Sequence, residues 1–210
     1  GQNVWVAMAG ALAAGMLAGM ATGLLHTFMG IPAILAGILT QLGLYSVNLK
    51  IMGKANQAIN VDKFDLMVSL RYIKGVPFYK NTILIVASVI VVLILILYWF
   101  FGTELGCSLR ATGCNDRMAR AQGINTDLNR VLGLMISNGL VAVSGALLGQ
   151  YQGFADVNMG RGAIVIGLAA VIIGEAVFGR VFRNFGFRLL AVAFGSIIYY
   201  FVLQIVIWLG

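Results

Sequence analysis

The stretch TILIVASVIVVLILILYWFF (residues 82–101) carries no charged side chain from end to end. A helix rises about 1.5 Å per residue, so this run reaches about 30 Å, the thickness of a bilayer's hydrocarbon core. One charge at its centre would cost roughly 2.5–3.5 kcal/mol on insertion. The reading is a membrane-spanning helix over 81–102, and the rest of the sequence follows from it.

The chain is 60% hydrophobic and only 10% charged, outside the range of a soluble domain. Further apolar runs occupy 4–25, 31–49, 131–150 and 189–209, with a shorter one, a short span or half-helix, at 163–178. The expected fold is all-α: a polytopic integral membrane protein with about six spanning or half-spanning helices. Apolar runs spread along the whole chain exclude a lone secretory signal. The chain starts at Gly1 rather than Met, and an apolar run closes at Gly210, so residues 1–210 are expected to be one transmembrane domain with further spans on both sides.

Between the runs, HTFMG (26–30) reads as a turn, and Pro32 suits the first turn of the next helix, where its missing N–H costs nothing. DKFDLMVSLRYIKG (62–75) suggests an amphipathic helix lying on the membrane surface. The net charge of +7 fits Lys and Arg flanking spans and meeting lipid headgroups better than it fits nucleic acid. Cys107 and Cys114 form no CxxC pair and the chain has one His, which excludes a metal site or redox pair of familiar spacing. No constellation for covalent or metal catalysis occurs, so no catalytic residue is expected.

Glycines recur at a fixed interval. Gly15, Gly19, Gly23, Gly30 and Gly37 each have a counterpart 130 residues later, at Gly145, Gly149, Gly153, Gly160 and Gly167. By the order of spans, 4–25 and 131–150 cross in opposite directions, the pattern of an inverted-topology repeat. The alternative is that small-residue helices share a four-residue period because they pack alike. Either way, Gly15, Gly19, Gly23 and Gly145, Gly149, Gly153 read as two stripes on which helix backbones approach closely.

LRATGCNDRMARAQGIN (109–125) is the polar interruption. Asn115 is a fair N-cap with Asp116 beside the positive helix end, and Gly123 stands where a C-cap belongs. The reading is a two-turn helix over 115–122 with a slim alanine face, from which Arg117 and Arg120 project. Such a rod fits a groove on another protein. Headgroup pairing of the arginines is the plainer alternative. Basic residues fall almost evenly on both sides of the spans, so charge only weakly favours a cytoplasmic segment.

Here ELGCSLRATGCNDRMARAQGINTDLNRVLGLMISNGLVAVSGALLG (104–149) resembles the cytoplasmic signature of the permease subunits of bacterial ABC importers of the branched-chain amino acid and ribose type. The pattern is met by Gly106, Ala111, Gly113, Asn115, Ala119, Gly123, Ile124 and Asn125, then Ser144, Gly145 and Ala146. GIPAILAGILT (30–40) resembles the family's lead into a core helix. The resemblance implies a multi-pass protein of the bacterial inner (plasma) membrane. It makes 103–130 a cytoplasmic coupling loop that docks into a separate ATPase through Arg110, Gly113, Asn115, Asp116, Arg117, Ala119, Arg120, Gly123, Ile124 and Asn125. It also implies an ATP-binding subunit holding ATP and Mg, an extracytoplasmic solute-binding protein, and a second permease chain, with a homodimer favoured over a heterodimer. The sequence agrees on one point: it has no GxxxxGK[ST], so the expectation is a non-catalytic subunit that binds no ATP of its own.

Gln41, Tyr45 and Asn48 share one helix face, and Ser196, Tyr200 and Gln204 another, so both stripes are candidates for a substrate pathway or for interhelical hydrogen bonding. Glu175, the only acid inside a probable span, is a functional candidate or a partner for nearby Arg180. His26 reads as a turn residue. The expected cargo is a small neutral or zwitterionic solute, an amino acid in preference, hydrophobic and aromatic ones included; the alternatives are a sugar or nucleoside importer of the same family, an ATP-independent transporter or channel, or a scaffold subunit.

Overall fold

The computed structural model describes residues 3–59, 82–160, 162–179 and 184–209. They form eight helices: α1 (Val4–Phe28), α2 (Ala33–Met52), α3 (Thr82–Gly102), α4 (Glu104–Cys114), α5 (Asp116–Ala121), α6 (Thr126–Gln152), α7 (Ala163–Phe178) and α8 (Phe185–Leu209). Two three-residue strands, β1 (Asn56–Ala58) and β2 (Phe154–Asp156), complete the described elements. Helices α1, α2, α3, α6 and α8 are long and apolar enough to cross a membrane, and α7, at 16 residues, is shorter. The surface helix expected at 62–75 lies outside the described residues. The chain divides into two compact units, residues 1–87 with 103–159 and residues 88–102 with 160–210.

The first unit is organised on the α1–α6 seam. Gly15 lies against Asn138, Gly139 and Ala142, Gly19 against Leu134 and Met135, and Gly23 against Val131. The descending partner numbers make the two helices antiparallel, as an inverted repeat requires. A Cβ on Gly19 would overlap the Leu134 carbonyl, so the backbones meet where only hydrogen fits. Lipid removes the hydrophobic drive for such pairing, and close approach replaces it with dispersion.

The second expected stripe differs. Gly145 is exposed with open space at its Cβ position, and Gly153 is the left-handed C-cap of α6 (φ +76°), where its N–H donates to the Gly149 carbonyl. Gly149 is buried near Phe154 of the ribbon. The α6 face that meets α1 runs through Val131, Leu134, Met135, Asn138, Gly139 and Ala142, so the glycine it uses is Gly139. The 130-residue register nevertheless returns at Ala33 and Ala163, the first residues of α2 and α7.

Helix α2 folds back on α1 through a short turn in which His26 Nδ1 and the Ile31 carbonyl are 2.7 Å apart. Pro32 precedes the helix as its N-cap instead of lying within the first turn. The buried Thr22 hydroxyl donates to the Ala18 carbonyl and bonds Thr40 Oγ1 at 2.9 Å, a tie between the two helices. Interhelical bonds of this kind average about 0.6 kcal/mol in membranes, so the tie adds register more than strength. At the far ends of α2 and α6, β1 and β2 pair antiparallel, Gln57 opposite Ala155. No periodicity marks strands this short, and the sequence did not reveal them.

In the second unit, α7 and α8 are antiparallel with small residues on both sides. Gly195 meets the Ala170 carbonyl and the Gly174 backbone, and Gly174 meets Ala191. All four are buried. Phe178 stacks near Phe194 (5.6 Å), and Phe101 of α3 meets Phe185 edge-on (5.0 Å).

Candidate functional site: the α4–α5–α6 joint

The polar interruption folds as two helices. Thr103 caps α4, its hydroxyl accepting from Gly106 N–H (3.3 Å), with Glu104 in the first turn against the positive end. Only the 115–122 helix was expected here, and α4 was not; the Thr103–Glu104 pair was the available signal. Asn115 ends α4 and begins α5 as expected: its Oδ1 accepts from Met118 N–H at 3.1 Å. Caps of this type contribute typically about 1 kcal/mol, a large share of what six residues can supply.

After Ala121 the chain tightens. Gly123 N–H donates to Arg120 O and Ile124 N–H to Ala119 O, with Gly123 at φ +82°, a conformation that favours glycine. Asn125 then caps α6, accepting from Leu128 N–H at 3.1 Å. Gly123 and Asn125 thus set the angle at which α5 meets α6.

The inner face of this joint sets Asp116, Ala119 and Arg120, expected at the docking contact, against groups that sequence reading did not single out. Ala119 is 4% exposed and Thr126 only 1%. Asn129, also buried, donates to Thr112 Oγ1 (3.0 Å) and Ser108 Oγ (3.2 Å), tying α6 to α4. Arg120 bonds Thr126 Oγ1 through Nη2 (2.8 Å) and Nε (3.2 Å), and its Nη2 reaches Asp127 Oδ1 at 3.2 Å. Arg130 completes the set, 2.9 Å from Asp116 Oδ2 and 3.5 Å from Asp127 Oδ1. Ion pairs this exposed contribute about 1 kcal/mol or less each, so their effect lies in geometry more than in stability.

Arg120 and Asp116 therefore turn inward, toward α6, whereas Arg117 is exposed and makes no hydrogen bond or ion pair among the described residues. Met118 is 63% exposed beside it. Arg110, Gly113, Asn115, Gly123 and Asn125 are exposed too, and Ile124 is half-buried. The outer face of the joint is a cation next to a flexible apolar side chain, on a rod fixed from behind.

The two polar stripes lie apart from this joint in the sequence, and each is described within its own unit. On α2, Gln41 and Asn48 are exposed and Tyr45 is half-buried. On α8, Ser196 donates to the Ala193 carbonyl (2.7 Å), while Tyr200 and Gln204 are exposed. Glu175 is exposed near the end of α7; its expected partner Arg180 lies outside the described residues. Among the described residues no cluster of His, Cys, Asp or Glu could hold a metal ion, and neither Cys107 nor Cys114 forms a disulfide.

The family described as branched-chain amino acid transport system / permease component matches residues 1–210. A tyrosine transport system permease protein of Clostridioides difficile (strain R20291) is 38% identical over 202 residues, covering 95% of this chain and 64% of that protein. An uncharacterized protein of Rickettsia prowazekii (strain Madrid E) is 36% identical over 206 residues, 95% of this chain and 71% of its own length. An autoinducer 2 import system permease protein of Yersinia pestis (strain Pestoides F) is 30% identical over 167 residues, 78% of this chain and 45% of that protein. The chain thus spans less than two thirds of the length of the first and third of these relatives. No solved structure matches. With its membrane-crossing helices and a family match over residues 1–210, the chain belongs to the family described as branched-chain amino acid transport system / permease component, multi-pass proteins of the bacterial inner membrane.

Proposed function

We propose that the chain is the membrane-spanning subunit of an ATP-driven importer and that α5 is its coupling helix, docking into a separate ATP-binding subunit on the cytoplasmic side. The observation that carries this reading is the division of α5 into two faces. Arg120 and Asp116 hold it to α6 and Ala119 is buried, while Arg117 and Met118 are exposed on the other side. A capped six-residue helix is a small structure to stabilise so carefully unless something grips its free side.

ATP and Mg belong to the partner, and closure of two ATP-binding subunits would move α5 as a rigid body and switch access between the two sides. A solute-binding protein delivers the solute from outside, and a second copy of the permease completes the pathway. Asn115 and Arg117, with Arg110, Gly113 and Gly123 around them, form the contact. Arg120 contributes from its flank.

An amino acid, neutral or zwitterionic and aromatic or hydrophobic, is the favoured cargo. The name of the C. difficile relative supports it, as do the uncharged amide and tyrosine side chains of the α2 and α8 stripes, whose exposed polar groups need partners or water within a membrane. The Y. pestis relative's name, an autoinducer 2 importer, supports a second reading in which the cargo is not an amino acid, with a sugar or nucleoside as the alternative. Uptake of tyrosine, leucine and ribose into vesicles containing the full transporter, with and without ATP, separates these readings. An ATP-binding subunit should co-purify with the wild-type chain, and Arg117→Glu should release it. Retention by the variant contradicts the assignment of α5.

A further inference from the structure

The residues that fasten α5 lie at the start of α6, within the 103–130 loop but outside the residues assigned to docking, and they form a continuous set. Asp116, at the start of α5, pairs with Arg130, and Arg130 also reaches Asp127. Asp127 pairs in turn with Arg120 at the end of α5, whose guanidinium grips Thr126 as well. Both ends of a six-residue helix are therefore clasped by the first turn and a half of α6. Asn129 lies among these residues on α6 and joins the same turns to α4. From this clasp α6 runs for 27 residues, about 40 Å, along the Gly15–Gly19–Gly23 seam to the β1–β2 ribbon at the other end of the unit.

We propose that Asp127 and Arg130 are positioning residues for energy coupling: they make α5 and α6 a single lever, so that displacement of α5 is delivered along α6 to α1 and the ribbon. This inference rests on the reading of α5 as the coupling helix. Neither residue is needed to bind the ATPase, since their charges are spent within the chain. Without the clasp, α5 can follow the ATPase while α6 lags, and ATP is hydrolysed with less solute moved.

The test uses the complete transporter in vesicles, comparing wild type with Asp127→Asn, Arg130→Ala and Arg130→Lys. Asp127→Asn and Arg130→Ala should retain the ATP-binding subunit and hydrolyse ATP within about twofold of wild type. Their solute transported per ATP should fall about three- to tenfold, within the range over which residues linking distant sites act. Arg130→Lys should recover most of the loss, because a cation still faces Asp116 and Asp127. Wild-type stoichiometry in both Asp127→Asn and Arg130→Ala overturns the proposal, and so does release of the ATP-binding subunit, which would make these docking residues.

Amide hydrogen exchange on the full chain alone gives a readout independent of any partner. Exchange over residues 116–128 should accelerate at least fivefold in Arg130→Ala, and unchanged exchange overturns the clasp. Accelerated exchange in a transporter whose wild type ignores ATP instead overturns the coupling role of α5 while leaving the clasp standing as a structural feature.

Discussion

The α1–α6 seam and the α4–α5–α6 joint both hold something against the same helix, with opposite chemistry. Along the seam α6 meets Gly15, Gly19 and Gly23, and what matters is the absence of side chains. At the joint α6 offers Thr126, Asp127, Asn129 and Arg130, and what matters is directional bonds to named atoms. In lipid a polar bond adds little over what a helix already satisfies, so backbones bind by proximity. At the polar end of the helix water competes, and only geometry-specific contacts fix an orientation. One helix thus changes its means of attachment along its length.

Substitution at the seam gives the largest expected effect. Gly19→Leu drives a side chain into the Leu134 carbonyl and Met135 backbone, which cannot yield as a side-chain tip can. Overpacking typically costs 1–3 kcal/mol and occasionally more; against backbone the loss should exceed about 3 kcal/mol. Purified Gly19→Leu should aggregate or lose its monodisperse elution peak, and wild-type thermal stability would break the comparison.

A smaller effect is expected at the joint. Asn129→Ala leaves the Thr112 and Ser108 hydroxyls without their α6 donor and should destabilise by about 1–3 kcal/mol. Thermal unfolding in detergent reads this directly. An effect near zero would mean that the joint is held by its charges alone.

The smallest effect sharpens the contrast. Gly145→Ala meets open space in this chain, and alanine favours a helix over glycine by roughly 0.8–1 kcal/mol. Stability should hold or rise slightly. A marked loss would show that Gly145 is covered by another chain.

The same contrast explains what was legible in the sequence. Lipid imposes one-dimensional rules, length and apolarity, so α3 and the other long helices are visible without knowing what they touch. The caps are visible for the same reason: Asn115 and Gly123 act on backbone within a few residues of themselves. A small-residue stripe does not state its partner, so Gly145 and Gly153 looked equivalent to Gly15 and Gly23 although α1 meets the Gly139 side of α6. The clasp was less visible still. Asp127, Asn129 and Arg130 are ordinary polar residues at a helix start until the fold brings α4 and α5 against them. Arg120 read as a docking residue by the company it keeps in sequence, and its bond to Thr126 turns it toward its own chain.

The most direct test of the account is photo-cross-linking from position 118 in intact membranes, with a benzophenone amino acid replacing Met118, the exposed apolar side chain beside Arg117. The account predicts one strong adduct with an ATP-binding subunit, changing in intensity when ATP is trapped. An adduct with lipid alone, or labelling of this position by an impermeant reagent applied from outside the cell, would contradict it.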